Sequence, residues 1–144
     1  MSRLIWGSNL RADLSPAYTE SVGAADENLY TLYRRGVELL EDGSFGEATV
    51  PLAEVARREP EKTSVREALG RAYFRNCQFE EAAAEFEAVV DRQPVNDFAH
   101  FCLGRALSIT GQRERARHHL ALASNLRPDR RDYRLYRDRL RSAS

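Results

Sequence analysis

Residues 68–94 read ALGRAYFRNCQFEEAAAEFEAVVDRQP, and this stretch decides the fold. Leu69, Gly70 and Tyr73 fall on one side of a helix, because residues three and four apart are neighbours there. Ala82, Phe86, Val89 and Val90 form a second such face. Between the two lies a short polar turn, Asn76-Cys77-Gln78, and Pro94 marks the exit of the second helix. A glycine inside a helix costs about 1 kcal/mol relative to alanine, a cost that close passage of a second helix offsets. Small Ala82 admits that neighbour and Phe86 fills the gap beside it. Phe86 is thus expected to be buried between two helices, near Leu69 and Tyr73.

Working outward, the same marks recur every 34 residues. Gly36, Gly70 and Gly104 keep this spacing, as do Ala48, Ala82 and Ala116, and Pro60, Pro94 and Pro128. The chain has only 8 Gly and 5 Pro, so chance does not produce this pattern. Large positions agree as well: Leu39, Tyr73 and Leu107; Leu52, Phe86 and Leu120. The polar turns are Asp42-Gly43-Ser44, Asn76-Cys77-Gln78 and Thr110-Gly111-Gln112.

A period of 34 with a Leu-Gly step, an aromatic or Leu three residues on, then Ala, then Phe or Leu, then Pro, resembles the tetratricopeptide repeat (TPR) family over about residues 29–130. Unit two matches best, with Leu69-Gly70, Tyr73, Phe79, Ala82, Phe86 and Pro94. Unit one departs: Arg35 stands where leucine is usual, and Pro51 falls within the second helix. Pro51 is expected to kink or loosen that helix, and Arg35 to snorkel or pair with Glu38 or Glu41.

The resemblance implies an all-α, right-handed α-solenoid of antiparallel helix pairs. Three repeats occupy about 29–62, 63–96 and 97–130, within a domain of 26–130. A non-repeat segment, 1–25, precedes them, and a capping helix with a tail, 131–144, follows. Tyr133, Tyr136 and Leu140 share one face of that helix. Seven helices and no sheet are expected.

By the same resemblance, the first helix of each pair lines a concave groove. Unit one would supply Tyr30, Tyr33, Val37, Leu40 and Glu41. Unit two would supply Ser64, Glu67, Arg71, Phe74 and Arg75, and unit three Phe98, Phe101, Arg105, Ser108 and Ile109. Rings and arginines suit a peptide segment of another protein with apolar and acidic groups. Some TPRs hold a chaperone's C-terminal carboxylate with a Lys/Asn/Arg clamp. The equivalent positions here are Tyr33, Val37, Ala68, Phe98 and Cys102, none of that type, so the resemblance implies a different ligand.

Composition narrows the remaining classes. Apolar residues make up 42% and charged residues 31%, which fits a globular chain with a core. No apolar stretch approaches the ~20 residues of a membrane span. Leu4-Ile5-Trp6 is shorter than the ~7–15 residues of a signal-peptide core. Two cysteines are too few for a disulfide scaffold, so a reducing cytoplasm is the expected setting. The net charge is zero but polarised: residues 1–96 carry 11 basic and 17 acidic side chains, residues 97–144 carry 11 and 5. Hence two alternatives to the peptide-binding adaptor: an RNA- or ribosome-associated factor using Arg130, Arg131, Arg134, Arg137, Arg139 and Arg141 with Tyr133 and Tyr136, or a self-associating structural protein.

An enzyme is not expected. His118 and His119 are adjacent on a helix and point about 100° apart, His100 and Cys102 face differently, and no phosphate loop, zinc pattern or nucleophile motif occurs. No cofactor or metal is expected. The N-terminal segment carries Leu4, Ile5, Trp6, Leu10 and Leu14. So much apolar surface is expected to pack on the repeats, in the groove as a competitor of partner peptides or on the outer face of unit one, or else to serve as a partner's handle.

Overall fold

The computed structural model describes residues 24–142. Among these, seven helices occur and no strand: α1 (Ala24–Glu41), α2 (Phe45–Arg58), α3 (Thr63–Arg75), α4 (Phe79–Arg92), α5 (Asp97–Ile109), α6 (Arg113–Leu126) and α7 (Arg131–Ser142). The 34-residue period reappears in their boundaries. The starts of α2, α4 and α6 stand 34 apart, and so do those of α3, α5 and α7. No helix among the described residues is long and apolar enough to cross a membrane. The chain divides into two compact units, Met1–Asn76 and Cys77–Ser144.

In the first unit, α1, α2 and α3 share one core. Leu29, Tyr33, Val37 and Leu40 of α1 meet Ala48, Leu52, Val55 and Ala56 of α2 and Val65, Ala68, Leu69 and Ala72 of α3. A Cβ added at Gly36 would lie 2.5 Å from Leu52 Cγ. Glycine is therefore required there by close approach of the two helices. In the second unit the equivalent pair repeats this, with a Cβ at Gly104 lying 2.7 Å from Leu120 Cγ. Ala48, Ala82, Ala116 and Phe86 are wholly buried, as their register predicts.

The turns follow from local chemistry. Gly43 and Gly111 take φ of +85° and +86° and reverse the chain. Beyond them the Ser44 and Gln112 amides donate to the Leu39 and Leu107 carbonyls at 2.9 Å, closing the helix ends. After the second helix of each pair, Pro60, Pro94 and Pro128 occupy the second place of a four-residue turn. The Lys62, Asn96 and Arg130 amides close these turns onto Glu59, Gln93 and Arg127. The same prolines also accept a side chain six residues on: Arg66 Nε donates to the Pro60 carbonyl at 2.6 Å, His100 Nε2 to Pro94 at 2.7 Å, and Arg134 to Pro128.

Two departures of unit one from the repeat pattern have their place in the structure. α2 runs unbroken from Phe45 to Arg58 through Pro51, whose ring is buried and packs toward Gly36. Burial against α1 offsets the helix bond that proline cannot make. Arg34, not Arg35, reaches Glu38, at 3.7 Å. Arg35 is exposed beside Leu32 and Leu39, the snorkelling arrangement of the two expected for it.

Candidate functional site

The most developed polar-aromatic site lies in the second unit, where α7 meets α5 and α6. Tyr133 is wholly buried and stacks on Phe101 with ring centres 4.5 Å apart. Its hydroxyl donates to Asp97 Oδ2 at 2.7 Å. Burial and that bond push the phenol well above its ordinary range, so it stays a neutral donor. Tyr136 meets the edge of Phe101 at 5.4 Å. The Arg105 guanidinium lies 4.6 Å from the Tyr136 ring centre, and that of Arg139 lies 5.0 Å from it. A cavity of about 290 Å³ opens beside these groups, with Ile109, Leu120 and Leu140 as its apolar wall and Ser108 at its side. Stacking on the ring holds the two guanidiniums in place. The pocket can therefore receive a carboxylate next to an aliphatic group.

The residues that sequence predicted for the groove divide. Tyr33, Val37 and Leu40 belong to the core of the first unit and are not an open surface. The reason is that α1 packs on both α2 and α3, so its buried stripe is wider than one helix contact requires. Tyr30 is half-buried, and Arg34 and Glu41 lie beside that stripe. On α3, Ser64, Glu67, Arg71 and Phe74 are half-buried. Arg75 folds over the Phe45 ring at 4.5 Å, so it serves the first unit's own packing. On α5, Phe98, Arg105 and Ser108 are half-buried and Ile109 is 51% exposed. Phe101 is buried by the α7 tyrosines, so it is a floor and not a contact surface. Leu4, Ile5 and Trp6 lie outside the described residues.

Sequence reasoning placed Arg139 in the charged run and not with the groove arginines. It stands 34 residues beyond Arg105, as Arg105 does beyond Arg71, so the repeat itself carried the signal. The pairing of His100 with His119 was missed, their Nδ1 atoms standing 3.0 Å apart. The Pro94 carbonyl can only accept, so His100 Nε2 carries a proton and donates to it, while the two Nδ1 atoms share a second hydrogen bond. Burial first, and then the neighbouring His100, hold His119 down to about 4, so the His119 ring is neutral near pH 7. This is a structural hydrogen bond between α5 and α6. Among the described residues no three His, Cys, Asp or Glu side chains are placed to hold a metal ion.

Four of the six arginines proposed for nucleic acid are engaged within the second unit. Arg130 bonds Asp132 at 2.8 Å, Arg137 bonds Asp138 and Ser124 at 2.9 Å, Arg134 bonds the Pro128 carbonyl, and Arg141 lies 3.8 Å from Asp138. Tyr133, one of the two rings needed for base stacking, has no exposed face.

A family model of the tetratricopeptide repeat matches residues 39–101. Among solved structures, the first TPR of Spaghetti (RPAP3) bound to the HSP90 peptide SRMEEVD superposes with a TM-score of 0.74 at 18% identity, over 81% of this chain and 93% of that one. MamA from Desulfovibrio magneticus RS-1, from residue 41 to its end, gives 0.78 at 19% identity, over 98% and 84%. The TPR2B domain of yeast Sti1, from a complex with pHsp70, gives 0.71 at 15%, over 82% and 99%. None of the curated proteins matches this sequence. The likeness at these identities is one of fold, an all-α solenoid of helix pairs.

Proposed function

This chain carries tetratricopeptide repeats, and from that premise we propose that it is a protein-interaction adaptor of the cytoplasm, which takes a peptide segment of a partner on the α5 and α7 side of its second unit. The observation that carries the reading is the pair of arginines, Arg105 and Arg139, held over Tyr136 beside an apolar pocket. A peptide acid pairs with the two guanidiniums, and the adjoining aliphatic side chain enters between Ile109 and Leu140. Phe98 supplies further apolar contact from α5, and Glu67, Arg71 and Phe74 form a patch of similar chemistry on α3 in the first unit. Proteins of the same fold lend support: Spaghetti is seen with SRMEEVD, whose Met and Val each adjoin an acidic residue, and Sti1 with pHsp70. The ligand of this chain differs from a clamp ligand, because Tyr33, Val37 and Ala68 at the clamp positions are buried and apolar.

The test is a display of random peptides panned on the whole chain. Peptides enriched for a carboxylate beside an aliphatic residue are expected, and Arg105→Glu with Arg139→Glu should weaken their binding at least about tenfold, or ~1.4 kcal/mol, with the helical spectrum unchanged. Equal binding by the double variant sinks the reading. Retention of RNA by the wild type that falls with salt would replace it with the nucleic-acid alternative.

A further inference from the structure

A second open surface lies at the outer face of the first helix pair. A trough of about 800 Å³ runs between α1 and α2, with Leu32 and Leu39 on one wall and Val50, Pro51 and Ala53 on the other. Val50 is 72% exposed. Arg35 and Glu47 stand at its rim, and Glu54 there is held by Arg57 at 2.7 Å and Arg58 at 3.0 Å. Glu54 is accordingly kept down to about 2 by its bonds to Arg57 and Arg58.

At two positions the repeat register sets this face of the first pair apart. Position 32 is Leu, but its equivalents are Arg66 and His100, each bonded to a proline carbonyl. Position 50 is Val, with Ala84 and His118 as equivalents, and position 53 is Ala, with Glu87 and Ala121. At positions 32 and 50 the first pair thus carries aliphatic side chains where the later pairs carry polar or smaller ones. Aliphatic side chains gathered along one trough mark a surface that something covers.

We propose that the chain's own N-terminal segment covers it, with Leu4, Ile5 and Trp6 seated against Leu32, Leu39 and Val50. Twenty-three residues precede α1, and they join the helix that forms one wall of the trough. Leu39 lies fifteen residues into α1, about 22 Å along its axis. The seventeen residues from Gly7 to Gly23 span up to roughly 56 Å when extended, so Trp6 reaches the whole trough with slack. Gly7, Ser15-Pro16 and Gly23 supply the bends that folding back requires. The segment carries both signs, in Arg3 and Asp13, as the rim does in Arg35 and Glu47. Tethering gives this occupant an effective concentration of order mM, which a second copy must outcompete. The proposal does not rest on the peptide-binding reading, because the trough belongs to the first unit and the arginine pocket to the second.

Trp6 is the only tryptophan, so its emission in the full chain is the probe. The expected result is a blue-shifted spectrum protected from acrylamide and unchanged on hundredfold dilution. Val50→Asp, and independently Leu32→Arg, which installs the residue that the second repeat carries in that register, should shift the emission to the red and raise the quenching constant several-fold. Both should leave circular dichroism unchanged. A water-exposed Trp6 in the full chain would overturn the proposal. So would protection that survives both variants, which places the segment elsewhere, and so would protection lost on dilution, which makes the occupant a second copy. Display-selected peptides should bind Val50→Asp as they bind the wild type. A loss there would count against the independence of the two sites and not against the arginine pocket.

Discussion

The last helix pair, α5 and α6, and the first, α1 and α2, present their outer faces differently. Against α5 and α6 lies α7, which buries Tyr133 completely, ties it to Asp97 and bonds Ser124 through Arg137. Against the outer face of α1 and α2 lies an open trough of Leu32, Leu39 and Val50. The contrast shows what a terminal helix must supply. α7 begins in the register of α3 and α5, but it carries Asp138 where the first helices carry Gly36, Gly70 and Gly104. Glycine is needed only where a second helix crosses closely, and Asp138 is exposed. Where α3 and α5 place Val65 and Ala99, α7 places Tyr133, a side chain large enough to anchor a short, strongly charged helix by itself.

The sharpest way to break this contrast is Tyr133→Ala. It removes the largest fully buried side chain and should cost about 3–5 kcal/mol, as for other buried aromatics, measured by urea unfolding. Tyr133→Phe loses only the bond to Asp97 and should cost roughly 1.5–3 kcal/mol, since the acceptor is charged. If Tyr133→Ala cost less than Tyr133→Phe, the anchoring role of the ring would be refuted.

A smaller effect tests whether the two units share their helix crossing. Gly36→Ala and Gly104→Ala each place a methyl within 3 Å of a leucine, Leu52 or Leu120. Overpacking costs about 1–3 kcal/mol, and the helix propensity gained returns about 1 kcal/mol. A net loss of up to ~2 kcal/mol is expected at both sites. At Gly104 the loss should be no smaller than at Gly36, because the Leu120 amide nitrogen also lies within 3.2 Å and backbone moves less readily than a side-chain tip. A stabilised Gly104→Ala would show that the helices separate at no cost.

The fold was legible because its signal is periodic. Gly, Ala and Pro recur at positions where a crossing helix, a close neighbour or a turn demands them, and none of these demands depends on distant context. The site was less legible for a physical reason. Groove assignment needs the angular width of each helix's buried stripe, and that width depends on how many neighbours the helix has. Tyr33, Val37 and Leu40 face two helices, so the core takes them, and Phe101 lies under α7. Arg139 sat in plain register with Arg71 and Arg105 but was read only as part of a charged run. The His100–His119 bond links residues nineteen apart on separate helices, and helical spacing within either helix gives no sign of it.

The smallest predicted effect concerns the turn that opens the second unit. Gly43, Cys77 and Gly111 occupy one register, and all three have positive φ: +85°, +61° and +86°. Cys77 is the sole non-glycine residue with positive φ among those described, and its side chain is exposed. A left-handed conformation costs an L-residue roughly 1–2 kcal/mol. Glycine removes that strain but gives the unfolded chain more freedom, a counter-effect of about 0.4–1 kcal/mol. Cys77→Gly should therefore stabilise by about 0.5–1 kcal/mol. Cys77→Ala, which keeps a Cβ, should gain nothing. Thermal unfolding under reducing conditions separates the two, since oxidation of the exposed thiol would otherwise confound the wild-type reference. The reciprocal changes, Gly43→Ala and Gly111→Ala, should destabilise by about 1 kcal/mol, because no atom outside the turn lies within 4 Å of either added Cβ and backbone strain alone sets the sign. A destabilised Cys77→Gly, with both glycine variants behaving as expected, would mean that the thiol makes a contribution its exposure does not account for.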